Sequence, residues 1–422
     1  MKSSMKKMVI LTASAVVAMS MAGCSSTPAG DSTGGTITFV TYTGGAAGQK
    51  YVDAVAGFEA DNPGIKVNLE VVPGDATYDS LVTTRIQGNN APDIFEVLNP
   101  LAGAASYIDA GLLRDLSDQP WVSTLVPGVA AASGVTGGNT YGLVTSLASA
   151  GVFYNKDIFE ANGLEVPTDW DQFLSAVATL KATGVTPLAV GAKDGWPLMV
   201  NAQAMAASDP AFADPGNETA AGLADGSIKF SENDSWKTMV KDFSDLVNAG
   251  GFSPDASGVT WPSSAEDFAA GKSAMLIQGD FAIPAIRTAN KDINLGYFPL
   301  PYVAAGETPA VLSYYQGVLA VPEAAKNSDL ALKFLAYLAD PNVATGFLTT
   351  AAALPTVQGA EPTLDPAVAE ILPALQKKSG DSGQSGLTPA TNTALQTGLQ
   401  SILAGNGDVA SVLAALDGAQ AQ

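Results

Sequence analysis

The side chains of this sequence that can do chemistry are mostly rings and carboxylates, and they recur where strands end. Tyr42 follows residues 36–41 (T-I-T-F-V-T), and Trp196 sits in G-A-K-D-G-W-P after an apolar run at 187–190. Trp261 lies in V-T-W-P-S-S, and Asp280 leaves the strand-like run 273–278. Planar rings cover the apolar C–H faces of a sugar, while carboxylates and amides meet its hydroxyls, so this mixture fits a neutral polyol. Each residue also has a plainer reading. Trp261 precedes a helix and could staple its start. Asp280 could cap the helix containing Pro284. Trp170 and Trp236 fall on helix positions that read as core.

What is missing narrows the chemistry further. The 422 residues contain no histidine and one cysteine, which removes imidazole bases, His-based triads and His metal ligands. No cofactor or metal is expected. Acidic residues outnumber basic ones 41 to 20, a net charge of −21, and no basic cluster outside the N-terminus could track a phosphate backbone, so nucleic acid is not an expected partner. Lys2, Lys6 and Lys7 precede a charge-free apolar run at 8–22, too short to span a bilayer and of the length of an export signal. That run ends in M-A-G-C, which resembles the bacterial lipobox whose cysteine is lipidated after cleavage. Cys24 is therefore the expected lipid anchor, residues 1–23 the signal peptide, and residues 24–35 the lipidated end and a Ser/Gly-rich tether.

The body reads as α/β. Strand patterns at 36–41, 65–71 and 92–95 alternate with helical stripes at 49–60 and 78–86, a βαβαβ order that predicts a mostly parallel sheet. In such sheets ligands lie beyond the carboxyl ends of the strands, which selects the loops 42–48, 73–78 and 96–100. Residues 141–154 read as a crossing between lobes in three short pieces: apolar, small and polar, then β-rich. Past it the alternation restarts. Thr168 is the expected cap of a helix opening at Asp169, and Ser235 opens an amphipathic helix through Trp236, Met239, Val240, Phe243, Leu246 and Val247.

Four stretches carry a family resemblance: A-P-D-I-F at 91–95, F-Y-N-K-D-I-F at 153–159, G-L-E-V-P-T-D-W-D-Q-F at 163–173, and F-A-A-G-K-S-A-M-L-I-Q-G-D-F at 268–281. Together they resemble the carbohydrate-binding extracellular solute-binding proteins of ABC importers, the maltose-binding-protein-like family. The resemblance implies two open, mostly parallel α/β lobes joined by a multi-crossing hinge, the type II periplasmic-binding-protein arrangement. It puts residues 36–145 plus 317–338 in the first lobe and 146–316 plus 339–422 in the second. It also implies a saccharide ligand, an ABC permease as partner, attachment to the outer face of the cell membrane through Cys24, and a monomer.

Glu96 and Asn99 match the position just beyond A-P-D-I-F where family members line the cleft. Phe281 stands where they usually carry a stacking tryptophan, and Tyr315 and Gln316 lie at the implied return crossing, where an alternating strand would send one of the paired tyrosines in and the other out. Two other functions remain open at this point: an extracellular glycosidase using Glu96 and Asp280 as its carboxylate pair, and a receptor of the same fold for a ligand that is not a sugar.

Overall fold

A computed structural model describes residues 34–72, 76–98, 100–126, 139–209, 218–380 and 387–420. Cys24, the segments on either side of it, and Asn99 lie outside the described residues. Among the described residues, nine strands form one continuous sheet: β1 (Gly35–Thr41), β2 (Ile65–Val71), β3 (Ile94–Glu96), β4 (Gly142–Asn155), β5 (Thr186–Ala189), β6 (Ser273–Gly279), β7 (Leu295–Phe298), β8 (Val311–Ala320) and β9 (Ser379–Gly380). The order along it is β2-β1-β3-β8-β4-β6-β5, with β7 added beside β4 and β9 beside β8.

The expected βαβαβ unit is present. β1 lies between β2 and β3 and is parallel to both. At the other end β5 is parallel to β6. Antiparallel pairing enters where the chain passes between the two halves: β4 runs against β8 from Gly142 opposite Ala320 to Ala150 opposite Leu312. Sequence alone divides residues 141–154 into three pieces, whereas they form one 14-residue strand. The small residues in its middle pack without bulk, so the extended backbone has no reason to break there.

Two bodies of buried side chains sit on this sheet. The first gathers Phe39, Tyr51, Phe58, Phe95 and Phe334, with Phe58 edge-on to Phe334 at 5.0 Å. The second gathers Phe173, Trp236, Phe243, Met275 and Leu399, flanked by a smaller cluster around Phe153, Phe268 and Tyr297. The helix Asp234–Asn248 shows how the pattern builds this core, because it buries Trp236, Met239, Val240, Phe243 and Leu246 on one stripe. Its cap is Asn233, whose side chain accepts from the Trp236 amide at 3.0 Å, so the helix opens one residue before the expected Ser235. The helix Trp170–Ala182 is likewise capped by Asp169, which takes the Gln172 amide at 2.9 Å; Thr168, the expected cap, binds the Gln172 side chain instead.

One expectation about the lobes needs correcting. Residues 339–360 were assigned to the second lobe, but Ala344, Phe347, Leu348 and Ala351 of the helix Pro341–Ala351 are buried in the first core, as are Val357 and Ala360. The chain touches the second body at Leu354, where Leu147 and Leu354 exchange backbone hydrogen bonds of 3.1 and 3.2 Å, and returns to it at the helix Pro366–Lys377, which buries Ala367, Val368 and Ile371 in the smaller cluster. The apolar stripe of this helix fits either core equally well, so periodicity could not decide between them.

The β4–β8 ladder is interrupted at Thr145 and Gly317. Gly317 has φ +64°, and a Cβ on it would lie 2.2 Å from Thr145 Oγ1 and 3.1 Å from the Tyr51 hydroxyl. Gly317→Ala should therefore lose about 1–3 kcal/mol from left-handed strain alone, seen as a lower urea midpoint with an unchanged slope. A wild-type midpoint would mean that alanine adopts this left-handed conformation without strain and that Thr145 moves aside freely.

Candidate functional site

The site is built from loops at the carboxyl ends of strands in both halves. In the first half β1 delivers Tyr42 and Thr43, and β3 delivers Glu96. Tyr42 is half-buried, edge-on to Tyr78 at 5.4 Å, and burial together with the Glu96 charge pushes its hydroxyl pKa well up. Glu96 is completely buried. Its Oε1 accepts from the Tyr51 hydroxyl at 2.9 Å and from Thr43 Oγ1 at 3.0 Å, and its Oε2 accepts from Thr41 Oγ1. The Tyr78 hydroxyl donates to the Glu96 carbonyl at 2.6 Å. The sequence nominated Glu96 as a cleft-lining ligand group; in the structure it lies beneath the surface and holds Thr43 and Tyr51 in place. Tyr51 and Tyr78 lie on the helical stripes at 49–60 and 78–86, and both are buried with their hydroxyls hydrogen-bonded to Glu96.

The second half supplies the rings. Trp196 and Trp261 pack edge to face at 5.3 Å, and Phe281 lies 6.0 Å from Trp196 and 6.4 Å from Trp261. All three are half-buried. Both tryptophans occupy the first position of a helix and are followed by proline, in Trp196–Ala206 and Trp261–Ala269, so the local backbone is preset at each. Asp194 joins the two loops by accepting from the Trp261 amide at 2.6 Å. The approach is close: a Cβ on Gly191 would lie 2.5 Å from the Trp261 backbone nitrogen. Asp194 was missed by sequence reasoning, since its partner lies 67 residues away.

Between the halves run Tyr314, Tyr315 and Gln316 of β8, all half-buried. Tyr314 packs on the second core and Tyr315 on the first, as strand alternation requires. The Gln316 carbonyl is the acceptor for Thr145 Oγ1 and Ser146 Oγ, both at 3.4 Å. Asp280 is fully buried, and its Oδ2 accepts from the Ser149 amide at 2.8 Å and from Ser149 Oγ at 3.0 Å. Asp280 therefore ties down β4 and caps no helix: the helix Ile283–Ala289, which contains Pro284, has no side-chain cap. Its Oδ1 has no hydrogen-bond partner among the described residues.

A family model described as bacterial extracellular solute-binding protein matches residues 41–345. The chain belongs to that family. A multiple sugar-binding protein of Streptococcus mutans is 27% identical over 283 residues, which cover 67% of this chain and 66%, just under two thirds, of that relative. The melibiose/raffinose/stachyose-binding protein MelE of Bacillus subtilis is 23% identical over 68% of this chain and 66% of its own length. In fold, this solute-binding protein is similar to the solute-binding protein RafE in complex with raffinose, with a TM-score of 0.79 at 23% identity, over 91% of this chain and 98% of that one. It is also similar to a sugar transporter from Bacillus licheniformis in complex with stachyose, with a TM-score of 0.75 at 20% identity, over 91% and 98% of the two chains. These likenesses establish the two-lobed α/β fold. Among the described residues of the solute-binding protein, no cluster of three or more His, Cys, Asp or Glu side chains could hold a metal, and no helix is long and apolar enough to cross a membrane.

Burial raises the Asp280 carboxyl to about 7, against the opposing pull of the Ser149 hydrogen bonds, the Phe281 amide and the Lys50 charge. Its neighbours Tyr297 and Tyr314 are raised well above the ordinary phenol value and stay neutral. A carboxyl with a raised folded-state pKa keeps its proton longer than the unfolded chain does. Its contribution to stability therefore falls as pH climbs from about 4 to about 7. Asp280→Asn keeps an acceptor for Ser149 and removes that slope. Its melting temperature relative to wild type should increase between pH 4.5 and pH 8, and a constant difference would show that Asp280 is already ionised at the lower pH.

Proposed function

We propose that this protein is the substrate-binding component of an ABC importer and captures a saccharide between its lobes. The observation that carries this reading is the half-buried group of Trp196, Trp261 and Phe281 at strand ends of the second half, beside the half-buried hydroxyls of Tyr42 and Thr43 at the end of β1 in the first. Such a pairing suits a molecule with apolar faces and a polar edge. The names of the relatives and fold neighbours, which include raffinose- and stachyose-binding proteins, support the same class of ligand.

Capture would proceed by hinge closure, the ligand favouring the state in which both lobes touch it. Energy for transport would come from a partner ATPase, with the protein itself acting as a monomeric receptor and not as an enzyme. The carboxylate-pair alternative is disfavoured by Glu96, whose two oxygens already accept three protein hydroxyls. Cys24 would anchor the chain to the outer face of the membrane after cleavage of the leader, on the strength of the M-A-G-C pattern. Cell fractionation checks the anchor: Cys24→Ala should move the protein from membranes to the medium, and a variant still bound to membranes would refute lipidation.

Isothermal titration against a panel of neutral mono- and oligosaccharides, including raffinose, stachyose and chitin oligosaccharides, tests the ligand class. A panel sugar should bind to wild type, and Trp196→Ala should weaken it at least about 30-fold, the loss typical of a buried tryptophan anchor. Silence across the panel, together with binding of a peptide or an inorganic anion, would overturn the reading.

A further inference from the structure

Gly279 ends β6 with φ −78° and ψ 160°, an extended backbone that any residue adopts, so conformation does not call for a glycine there. Space does. A Cβ on it would lie 2.2 Å from Phe281 Cε1 and 2.9 Å from the Tyr314 hydroxyl oxygen. The edge of the Phe281 ring and the Tyr314 hydroxyl thus meet over the bare backbone of Gly279 and share the volume that a side chain would take. The Phe281 ring also lies 6.0 Å from that of Trp196 and 6.4 Å from that of Trp261, so this hydroxyl stands at the border of the ring wall. Tyr314 itself comes from β8, the strand that passes between the halves.

Tyr51, Tyr78, Tyr297 and Tyr302 each spend their hydroxyl on a protein oxygen. Tyr314 does not. Among the described residues no group hydrogen-bonds its hydroxyl, yet the oxygen is not sealed from solvent. Asp280, next in the chain to Gly279, is bound instead to the amide and hydroxyl of Ser149. We propose that Tyr314 is a specificity-determining residue of the ring-walled site: a neutral sugar unit stacked on Phe281 presents an oxygen of its edge to the Tyr314 hydroxyl, and Gly279 sets that geometry by carrying no side chain. This rests on the saccharide reading above and names one group that reads the sugar's edge beside the rings that cover its face.

A stack alone lets a sugar turn in the plane of the ring. A hydrogen bond at the ring's edge stops the turn, so only epimers with an oxygen at that place gain both contacts. The phenol suits this task because it both donates and accepts, and burial, with the Asp280 charge adding to it, pushes its pKa well above the ordinary value, so the proton stays on. Strand alternation puts Gln316 on the same face of β8, two residues on. Across the ladder Tyr314 and Gln316 are paired with Ala148 and Ser146, so β4 sets no bulk beside that face.

Titration of wild type and Tyr314→Phe with raffinose tests the proposal. Should wild type prefer another sugar of the panel, that sugar is the probe. Phenylalanine keeps the ring against the second core and removes one oxygen, so binding should weaken about 3- to 10-fold, the share of one neutral hydrogen bond. The advantage of the probe over its weaker-bound epimers should shrink by the same factor. Gly279→Ala should weaken binding as well, since its methyl group pushes ring and hydroxyl off their shared place. A ligand-free melt separates these effects from damage to the fold: Tyr314→Phe should match or exceed wild type, whereas Tyr302→Phe, which loses a bond of 2.8 Å to Asp242, should melt lower and bind normally. Unchanged affinity in Tyr314→Phe or in Gly279→Ala, beside normal wild-type binding, overturns the proposal and leaves the proposed function standing. So does a loss shared equally by every panel sugar, or a drop of about 2 °C or more in the Tyr314→Phe melt, which would show that the hydroxyl holds the fold. No binding by wild type to any panel sugar is instead the failure of the proposed function.

Discussion

The antiparallel pairing of β4 with β8 is the constraint on which the molecule depends. These two strands are the common edge of both cores: Leu143, Val144, Val318 and Leu319 are buried in the first, and Ala150, Val152 and Leu312 in the second. A ladder this long would ordinarily make one rigid plate. It is broken at Thr145 and Gly317, where a left-handed glycine interrupts the pairing and two hydroxyls reach the Gln316 carbonyl only at 3.4 Å. Backbone rotation at that point would change the angle between the halves without unpacking either core, which is how a hinge absorbs motion. The backbone exchange between Leu147 and Leu354 adds a third link within two residues of the break and keeps the movement from becoming a free swing.

The groups that the two halves carry at their strand ends are chemically unlike. The first half presents the Thr43 hydroxyl, held by a buried carboxylate: Glu96 takes Thr43 and the buried Tyr51, and Tyr78 in turn fixes the Glu96 backbone. The second half presents rings held by their helix starts and by Asp194. A ligand with flat apolar faces and a polar rim can satisfy both at once, and water can satisfy only the first. On the proposed function, that difference would give closure around such a ligand a driving force that closure around solvent lacks.

Much of the scaffold could be read from spacing. The alternation at 65–71 and the stripe from Trp236 to Leu246 fold as their periods require, since each has a single apolar face to hide. Capping was legible only to within a residue: Asp169 and Thr168 are both good caps, and the choice rests on which oxygen reaches the Gln172 amide. The site was legible in type but not in depth. Trp196, Trp261 and Phe281 converge as rings, whereas Glu96 and Asp280 are sunk out of sight, and sequence position carries no information about depth. The burial of Lys50 was invisible because one lysine near the start of an amphipathic helix ordinarily reads as solvated, and only the rings of Tyr51 and Phe347 close over it.

A TM-score of 0.79 at 23% identity means that the backbone is conserved while most side chains are not. Backbone conservation follows from the hinge: two cores on one interrupted ladder tolerate apolar exchange freely as long as volume and pattern are kept. Ligand choice is left to the few side chains at the strand ends, which bear little on either core and can change without unfolding it. Phe281 illustrates the freedom. A phenyl ring offers less stacking face than an indole, yet here Trp196 and Trp261 stand within 6.4 Å of it and enlarge the same apolar wall. On the proposed function, the area presented to a sugar face would be a property of the three rings together, and exchange at one position would shift the preferred ligand without abolishing the site.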